Sequence, residues 1–317
     1  MAQVLTLAHS PDPDDVFMWW PLTGKISPGA ESILSSPTLD TAPFAFRPIP
    51  EDIEILNRRV VDGAIPKGDQ YDITALSVRT WGDVSREYII TRCGASFGDG
   101  FGPKIVVRGR AEGGIERLAS SGARIAVPGF GTTAFLMLGM VMGRAAMGDR
   151  SRFVAMAFDQ IIPAVARGDV EAGLVIHEGQ LTFADAGLSL VLDVGAWWKE
   201  RTGLKLPLGV NAVRRDLDAR YGPGTLAKVG HWLSQSVAYA CERREESTKY
   251  TMPWAAANAA KAGMEPPTLE RVDRYCRMYV SDETLDMGEA GREAIRRLFA
   301  EGHAAGLCEE PGEIDLL

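Results

Sequence analysis

Short apolar runs, each broken by a turn and followed by a helical pattern, recur along this chain and constrain its fold more than any other feature. They fall at residues 4–8, 72–76, 104–107, 124–127, 153–157, 172–176, 190–194 and 208–213. Runs of this length are strand-sized, and their alternation with helical stretches predicts an α/β fold with mostly parallel sheets. No internal repeat and no low-complexity tract interrupts the pattern. The chain has 317 residues, room for one large domain or two ordinary ones.

Two glycine-containing stretches read as crossings between domains. One is ASFGDGFGPKIVV at residues 95–107, and the other is TGLKLPLGVNAV at residues 202–213. The intervening segment of about 100 residues is a typical domain in size. The expected layout is a hinged, two-lobed clamp. Lobe 1 takes residues 1–103 and 206–317, with a mainly helical part from Thr225 onward, and lobe 2 takes residues 104–205. In such a layout the ligand sits in a central cleft, at the carboxyl ends of strands from both lobes.

Charge and cysteine usage narrow the function classes. The net charge is −8 with no block of Lys or Arg, which argues against nucleic acid or an anionic membrane as partner. The stretch MAQVLTLAHSPDP lacks a basic n-region and a long apolar core, so no secretory signal is expected, and no run reaches the ~20 apolar residues of a membrane span. Cys93, Cys241, Cys276 and Cys308 form no CxxC pair, and His9, His177, His231 and His303 share no metal-ligand spacing. A cytoplasmic protein without a metal site is the expectation.

Four polar segments lie at predicted strand ends. The first, His9-Ser10-Pro11-Asp12-Pro13-Asp14-Asp15, follows the first run. Asp14 or Asp15 there can N-cap a helix beginning near Val16, with Pro13 in the preceding turn; equally, the loop can form the floor of a site. In the second, YDITALS, Ser77 can bond a ligand or cap the next helix. The third, VPGFGTTAFL, sets Gly129 and Gly131 before Thr132, Thr133 and Ala134 at a helix start. Such glycines let backbone approach a ligand, and the helix start suits a carboxylate, although a plain Thr cap fits as well. In the fourth, GLVIHEG, His177 and Glu178 emerge from a strand, where an imidazole serves proton transfer or sits as a structural group. The pairs Trp19-Trp20 and Trp197-Trp198 read as core or cleft wall, and His231 and His303, on predicted helices, as surface or packing residues.

Taken together, SPDPDDVFMW, YDITALS, VPGFGTTAFL and GLVIHEGQLTF resemble the signature stretches of the 1,4-dihydroxy-6-naphthoate synthase family. FDQIIPAVARGDVEAG, LVLDVGAWWKERTGLKLPLG and YVSDETLDMGEAGREAI are similar to the same family, in the same order, so the likeness runs from residue 4 to residue 296. The resemblance implies a type II periplasmic-binding-protein-like fold and a cofactor-independent lyase of menaquinone biosynthesis. Its substrate, cyclic dehypoxanthine futalosine, is a small carboxylated molecule whose carbon skeleton is cleaved. The resemblance makes His177 the proton acceptor and places Ala75, Leu76, Ser77, Thr132, Thr133 and Ala134 against the substrate, with Ser10 and Asp14 as further contacts from the opening motif.

That opening motif departs from the family pattern Ser-Pro-Cys-Pro-Asn-Asp, since Asp12 replaces Cys and Asp14 replaces Asn. Asn donates and accepts hydrogen bonds, whereas an ionised Asp only accepts, so Asp14 either repels a carboxylate or calls for a donor, for which His9, just before the motif, is a candidate. The other readings of the same layout are a solute-binding protein of an ABC-type transporter and a chorismate dehydratase-like enzyme.

Overall fold

The computed structural model describes residues 2–61 and 70–317. Among the described residues, eleven strands form two sheets. The first holds β1 (Gln3–His9), β2 (Phe44–Pro50), β3 (Ile73–Ser77), β4 (Tyr88–Ile90), β5 (Ser96–Gly98) and β11 (Leu206–Arg214), in the order β2-β1-β3-β11-β4, with β5 also paired to β11. The second holds β6 (Lys104–Arg108), β7 (Ile125–Val127), β8 (Phe153–Ala155), β9 (Ala172–Val175) and β10 (Leu188–Asp193), in the order β10-β6-β9-β7-β8. Helices cover both sheets, giving two α/β lobes around a cleft.

All eight apolar runs are strands, and three further strands escaped the pattern. β2 reads FAFRPIP, and its two prolines argue against a central strand; it lies at the sheet edge, where a missing N–H is tolerated. β4 and β5 are only three residues each, too short to show alternation.

The expectation of mostly parallel sheets is corrected. β1, β2 and β3 run parallel, as do β7, β8 and β9. β11 is antiparallel to β3, β4 and β5, and β6 is antiparallel to β9 and β10. Both exceptions are the strands by which the chain enters a sheet from the other one. A strand begun at the crossing starts at the cleft and runs away from it, opposite to neighbours that end there. The sheets are therefore mixed.

The two crossings lie side by side. Val194 N–H donates to Pro103 O at 2.9 Å, and Asp99 pairs with Lys199 at 2.9 Å. Gly195 sits so tightly that a Cβ built on it would lie 1.9 Å from Phe101 O and 2.0 Å from Phe101 C, both backbone atoms.

The lobes share a core. One buried cluster joins Trp81, Tyr88 and Phe299 of the first lobe to Ile105, Ile125 and Leu136 of the second. The helix Thr133–Met142 carries this continuity: it belongs to the second lobe, is buried over most of its length, and presents Gly139 to Leu307 near the chain's end. Burying an aliphatic or aromatic side chain contributes roughly 1.5–3 kcal/mol, so the shared cluster holds the lobes in a fixed arrangement. The helical part after β11 packs on the first sheet. In the helix Leu269–Tyr279 the buried residues Val272, Tyr275, Cys276 and Tyr279 follow the i, i+3, i+4, i+7 spacing of a core-facing stripe. Among the described residues no helix is long and apolar enough to cross a membrane.

Gly195→Ala forces a methyl into the backbone of the neighbouring crossing. Overpacking of this kind costs about 1–3 kcal/mol. The expected result is a lower urea midpoint with an unchanged denaturant slope; an unaltered midpoint would contradict the close approach.

Candidate active site

The cleft opens about 690 Å³ of space between the two sheets, solvent at its mouth included. Every residue that the resemblance sets against the substrate lines it: Ser10 and Asp14 after β1, Ala75, Leu76 and Ser77 at the end of β3, Thr132, Thr133 and Ala134 after β7, and His177 after β9. Strand ends from both sheets thus meet at one place.

The opening loop departs from the capping expectation. The helix begins at Pro13 rather than near Val16, and Asp12, not Asp14 or Asp15, is its N-cap residue. Pro13 is therefore the first helical residue, where its missing N–H costs nothing. The side chain of Asp12 makes no capping bond. Its Oδ2 instead accepts from Ser10 Oγ at 2.6 Å and lies 2.9 Å from His177 Nδ1 in the other lobe. Asp15 folds back to accept from Ser10 N–H at 2.9 Å. Asp14 receives its donor from Tyr275, whose OH lies 3.3 Å away. His9 does not play that part: its Nδ1–H donates to Ser10 O at 2.7 Å, and burial pushes its pKa down to about 4.

His177 has a left-handed backbone, φ 52°, which a non-glycine residue adopts at a cost and which clusters at functional sites. Its ring packs edge-on to Phe158 at 4.6 Å between centroids. Nε2 is buried and has no hydrogen-bond partner in the protein. Burial alone disfavours the imidazolium, but the charge and hydrogen bond of Asp12, with Glu178 and Asp14 behind, push the pKa up to about 10. The carboxyls move the same way. Asp14 is held well above the usual range by burial and by Asp15 and Asp12. Burial raises Asp15 to about 6 against the Ser10 N–H bond, and burial with the Asp12 charge raises Glu178 to about 7.

The glycines of VPGFGTT serve a purpose other than the one expected. A Cβ on Gly129 would lie 2.1 Å from the Glu54 carboxyl carbon, and one on Gly131 would lie 2.8 Å from Thr80 Oγ1. Gly131 N–H donates to both Glu54 oxygens, at 3.2 and 3.3 Å, and Thr80 Oγ1 donates to Gly131 O at 2.7 Å. The close approach is between lobes, and the protein's own carboxylate occupies the donor. Thr132 caps its helix, accepting from Phe135 N–H at 3.1 Å. Thr133 Oγ1 donates to Leu208 O at 2.8 Å and accepts from Arg79 N–H at 3.2 Å. Both hydroxyls are thus engaged. What remains for an anion is the first turn's own N–H groups, which a helix leaves without internal acceptors. Ser77 is the N-cap residue of the helix Val78–Val84 yet makes no side-chain cap; Asn57 fixes it, donating to Ser77 Oγ at 3.0 Å and accepting from Ser77 N–H at 2.9 Å.

Several residues of the site carried no sequence signal. Asn57 and Glu54 sit on the helix Ile53–Val61, and Asn211 lies within β11, donating to Gly94 O at 2.8 Å. Tyr275 and Tyr279 share a helix face that reads as core; Tyr279 OH reaches across the lobes to Gln180 Oε1 at 2.8 Å. The i, i+4 spacing of the two tyrosines marks one face, but not that its end opens on a cleft. Trp19 and Trp198 are core, as expected, and His231 and His303 are exposed. Among the described residues no group of three or more His, Cys, Asp or Glu is arranged to hold a metal ion.

The raised groups fix how stability depends on pH. Unfolded Glu and His titrate near 4.5 and 6.5, whereas folded Glu178 and His177 do so near 7 and 10. The folded state therefore binds more protons across those windows, and these groups' contribution falls as pH rises through them. Glu178→Gln cannot ionise, so its melting temperature should exceed that of the parent increasingly from pH 4.5 to pH 7. Parallel melting curves across that window would refute the assignment.

Comparison with known proteins accords with this geometry. The family model described as menaquinone biosynthesis matches residues 5–304. A 1,4-dihydroxy-6-naphthoate synthase of Thermus thermophilus is 36% identical over 307 residues, 96% of each chain. One of Streptomyces coelicolor is 33% identical over 311 residues, 98% of this chain and 97% of that protein. A solved structure from Archaeoglobus fulgidus superposes with a TM-score of 0.73 at 36% identity, covering 96% of this chain and 98% of the other. A Candida albicans protein described as having the generic periplasmic binding protein fold gives 0.60 at 12% identity, covering 98% and 93%, a likeness of fold alone. The lobes and cleft are those of the periplasmic-binding-protein fold, and the chain belongs to the menaquinone biosynthesis family.

Proposed function

We propose that this protein is a 1,4-dihydroxy-6-naphthoate synthase: a cytoplasmic carbon–carbon lyase, working without a cofactor, that cleaves cyclic dehypoxanthine futalosine. The observation that carries the reading is His177. It lies on the cleft wall in a strained backbone conformation, with Nδ1 held by Asp12 and Nε2 buried and unpartnered. An imidazole so placed takes a proton from a substrate hydroxyl or C–H group as the neighbouring carbon–carbon bond breaks.

The charge distribution orients the substrate. Asp12, Asp14, Asp15 and Glu178 crowd around the loop after β1 and repel a carboxylate, whereas the helix start at Thr133 and Ala134 attracts one. The substrate carboxylate therefore goes to the threonines and Ser77. Its oxygenated carbons then lie toward Ser10, Asp14 and His177, which accept and donate hydrogen bonds to hydroxyls. Closed lobes hold this geometry and exclude water from the reacting carbons.

Incubation of the purified protein with cyclic dehypoxanthine futalosine should release 1,4-dihydroxy-6-naphthoate, detected by mass spectrometry. His177→Ala should lower kcat by about 10²–10⁴-fold, the usual share of a general base, while the folded variant still binds substrate. Full turnover in that variant would remove His177 from the reaction. Substrate binding that raises the melting temperature without any product would favour a solute-binding role instead.

A further inference from the structure

We propose that Asp12 is the positioning residue of His177, so that the base is an Asp–His pair split between the two lobes rather than a lone imidazole. The inference rests on the reading of His177 as the proton acceptor and adds a second group to it.

Four observations meet at this pair. Asp12 Oδ2 lies 2.9 Å from His177 Nδ1, and Asp12 has no solvent exposure. Ser10 Oγ donates to the same oxygen at 2.6 Å, which pins the carboxylate's orientation. Asp12 occupies a helix N-cap, the position where an Asp side chain normally bonds the first-turn N–H groups, yet it turns away from them toward the other lobe. His177 holds a left-handed backbone, with Phe158 against its ring and Gln180 N–H donating to its carbonyl at 3.1 Å. Since a carboxylate only accepts, Nδ1 keeps its proton when the ring is neutral, and Nε2, buried and without a partner in the protein, is then the acceptor.

Two consequences follow from the placement. Asp12 follows β1 of the first sheet and His177 follows β9 of the second, so the pair depends on how the two lobes pack together. The carboxylate also offsets the charge that the ring gains when Nε2 takes a proton. The other ionisable groups facing the ring are Asp14 and Asp15 from the helix after β1, Asp52 from the loop after β2, and Glu178 beside it.

The test uses the intact protein and two variants. In Asp12→Asn the amide oxygen can take the place of Oδ2, between Ser10 and the ring, which keeps the orientation and removes the charge. In Asp12→Ala both are lost. Nitrogen-15 histidine NMR of the ligand-free protein, with the His177 resonance identified by its loss in His177→Gln, reads the ring directly. The expected result is a His177 titration more than about one unit lower in both variants, since an adjacent opposite charge is worth 1–3 units. The neutral ring should remain protonated at Nδ1 in Asp12→Asn and become a mixture of tautomers in Asp12→Ala. With cyclic dehypoxanthine futalosine, the limb on which kcat/KM rises with pH should shift down in Asp12→Asn by the amount seen by NMR. In Asp12→Ala kcat should fall at least about ten-fold, with KM within a factor of about two.

A His177 titration, tautomer and pH profile identical to the parent's in both variants would overturn the proposal, even with a fully active parent enzyme. If the titration shifts as expected but the parent releases no naphthoate, the pair stands and the assigned reaction falls. Should Asp12→Ala not fold, the near-isosteric Asp12→Asn decides on its own.

Discussion

Asp12 is buried so completely that none of its side chain reaches solvent, and a carboxylate in that position must be met by donors or by a cation. Ser10 supplies one hydrogen bond and His177 supplies the cation. Much else follows from this constraint. The loop between β1 and its helix must curl so that Ser10 reaches Asp12, and the second lobe must sit where His177 meets it. Asp14, Asp15 and Glu178, brought into the same volume, share the burial without a cation each. Their pKa values are accordingly raised, and the corner holds protons that exposed carboxyls would have released.

The same economy of contacts joins the two lobes. Glu54 and Thr80 of the first lobe grip Gly131 of the second, Thr133 binds both Arg79 N–H and Leu208 O, and Tyr279 reaches Gln180. These contacts surround the cleft, while Trp81, Phe299 and Leu136 continue the core beneath it. A cleft framed in this way presents fixed dipoles and fixed side chains to a ligand. Such preorganisation distinguishes a site built for chemistry from one that merely encloses. The Thr133–Met142 helix serves both ends: its buried body links the lobes, and its first turn leaves N–H groups free for an anion.

A good part of this was legible in the sequence. The eight apolar runs are strands because a buried strand must be apolar over four to eight residues, and the polar segments that follow them line one cleft because strand ends of both sheets face it. Where a residue's environment came from its own segment, as for Trp19 or the Thr132 cap, the local reading held. It failed where a partner distant in sequence competed. Asp12 abandons its helix for a histidine 165 positions away (177 − 12), His9 yields to Tyr275 as the donor for Asp14, and the glycines of VPGFGTT make room for Glu54. The strand directions failed for a related reason, since a strand's sense depends on which side of the cleft the chain enters.

The sequence by itself determined that this is an α/β chain, which segments end its strands, and which side chains those ends offer to a ligand. Hydrophobic periodicity and turn chemistry are local properties, and a chain displays them in order. Only the tertiary structure decided which of those side chains meet: that Asp12 pairs with His177, that Asp14, Asp15 and Glu178 gather beside them, and that both threonine hydroxyls are engaged before any ligand arrives. Pairing across a cleft and loss of solvent depend on distances between segments far apart in the chain. Those distances exist only once both sheets are packed.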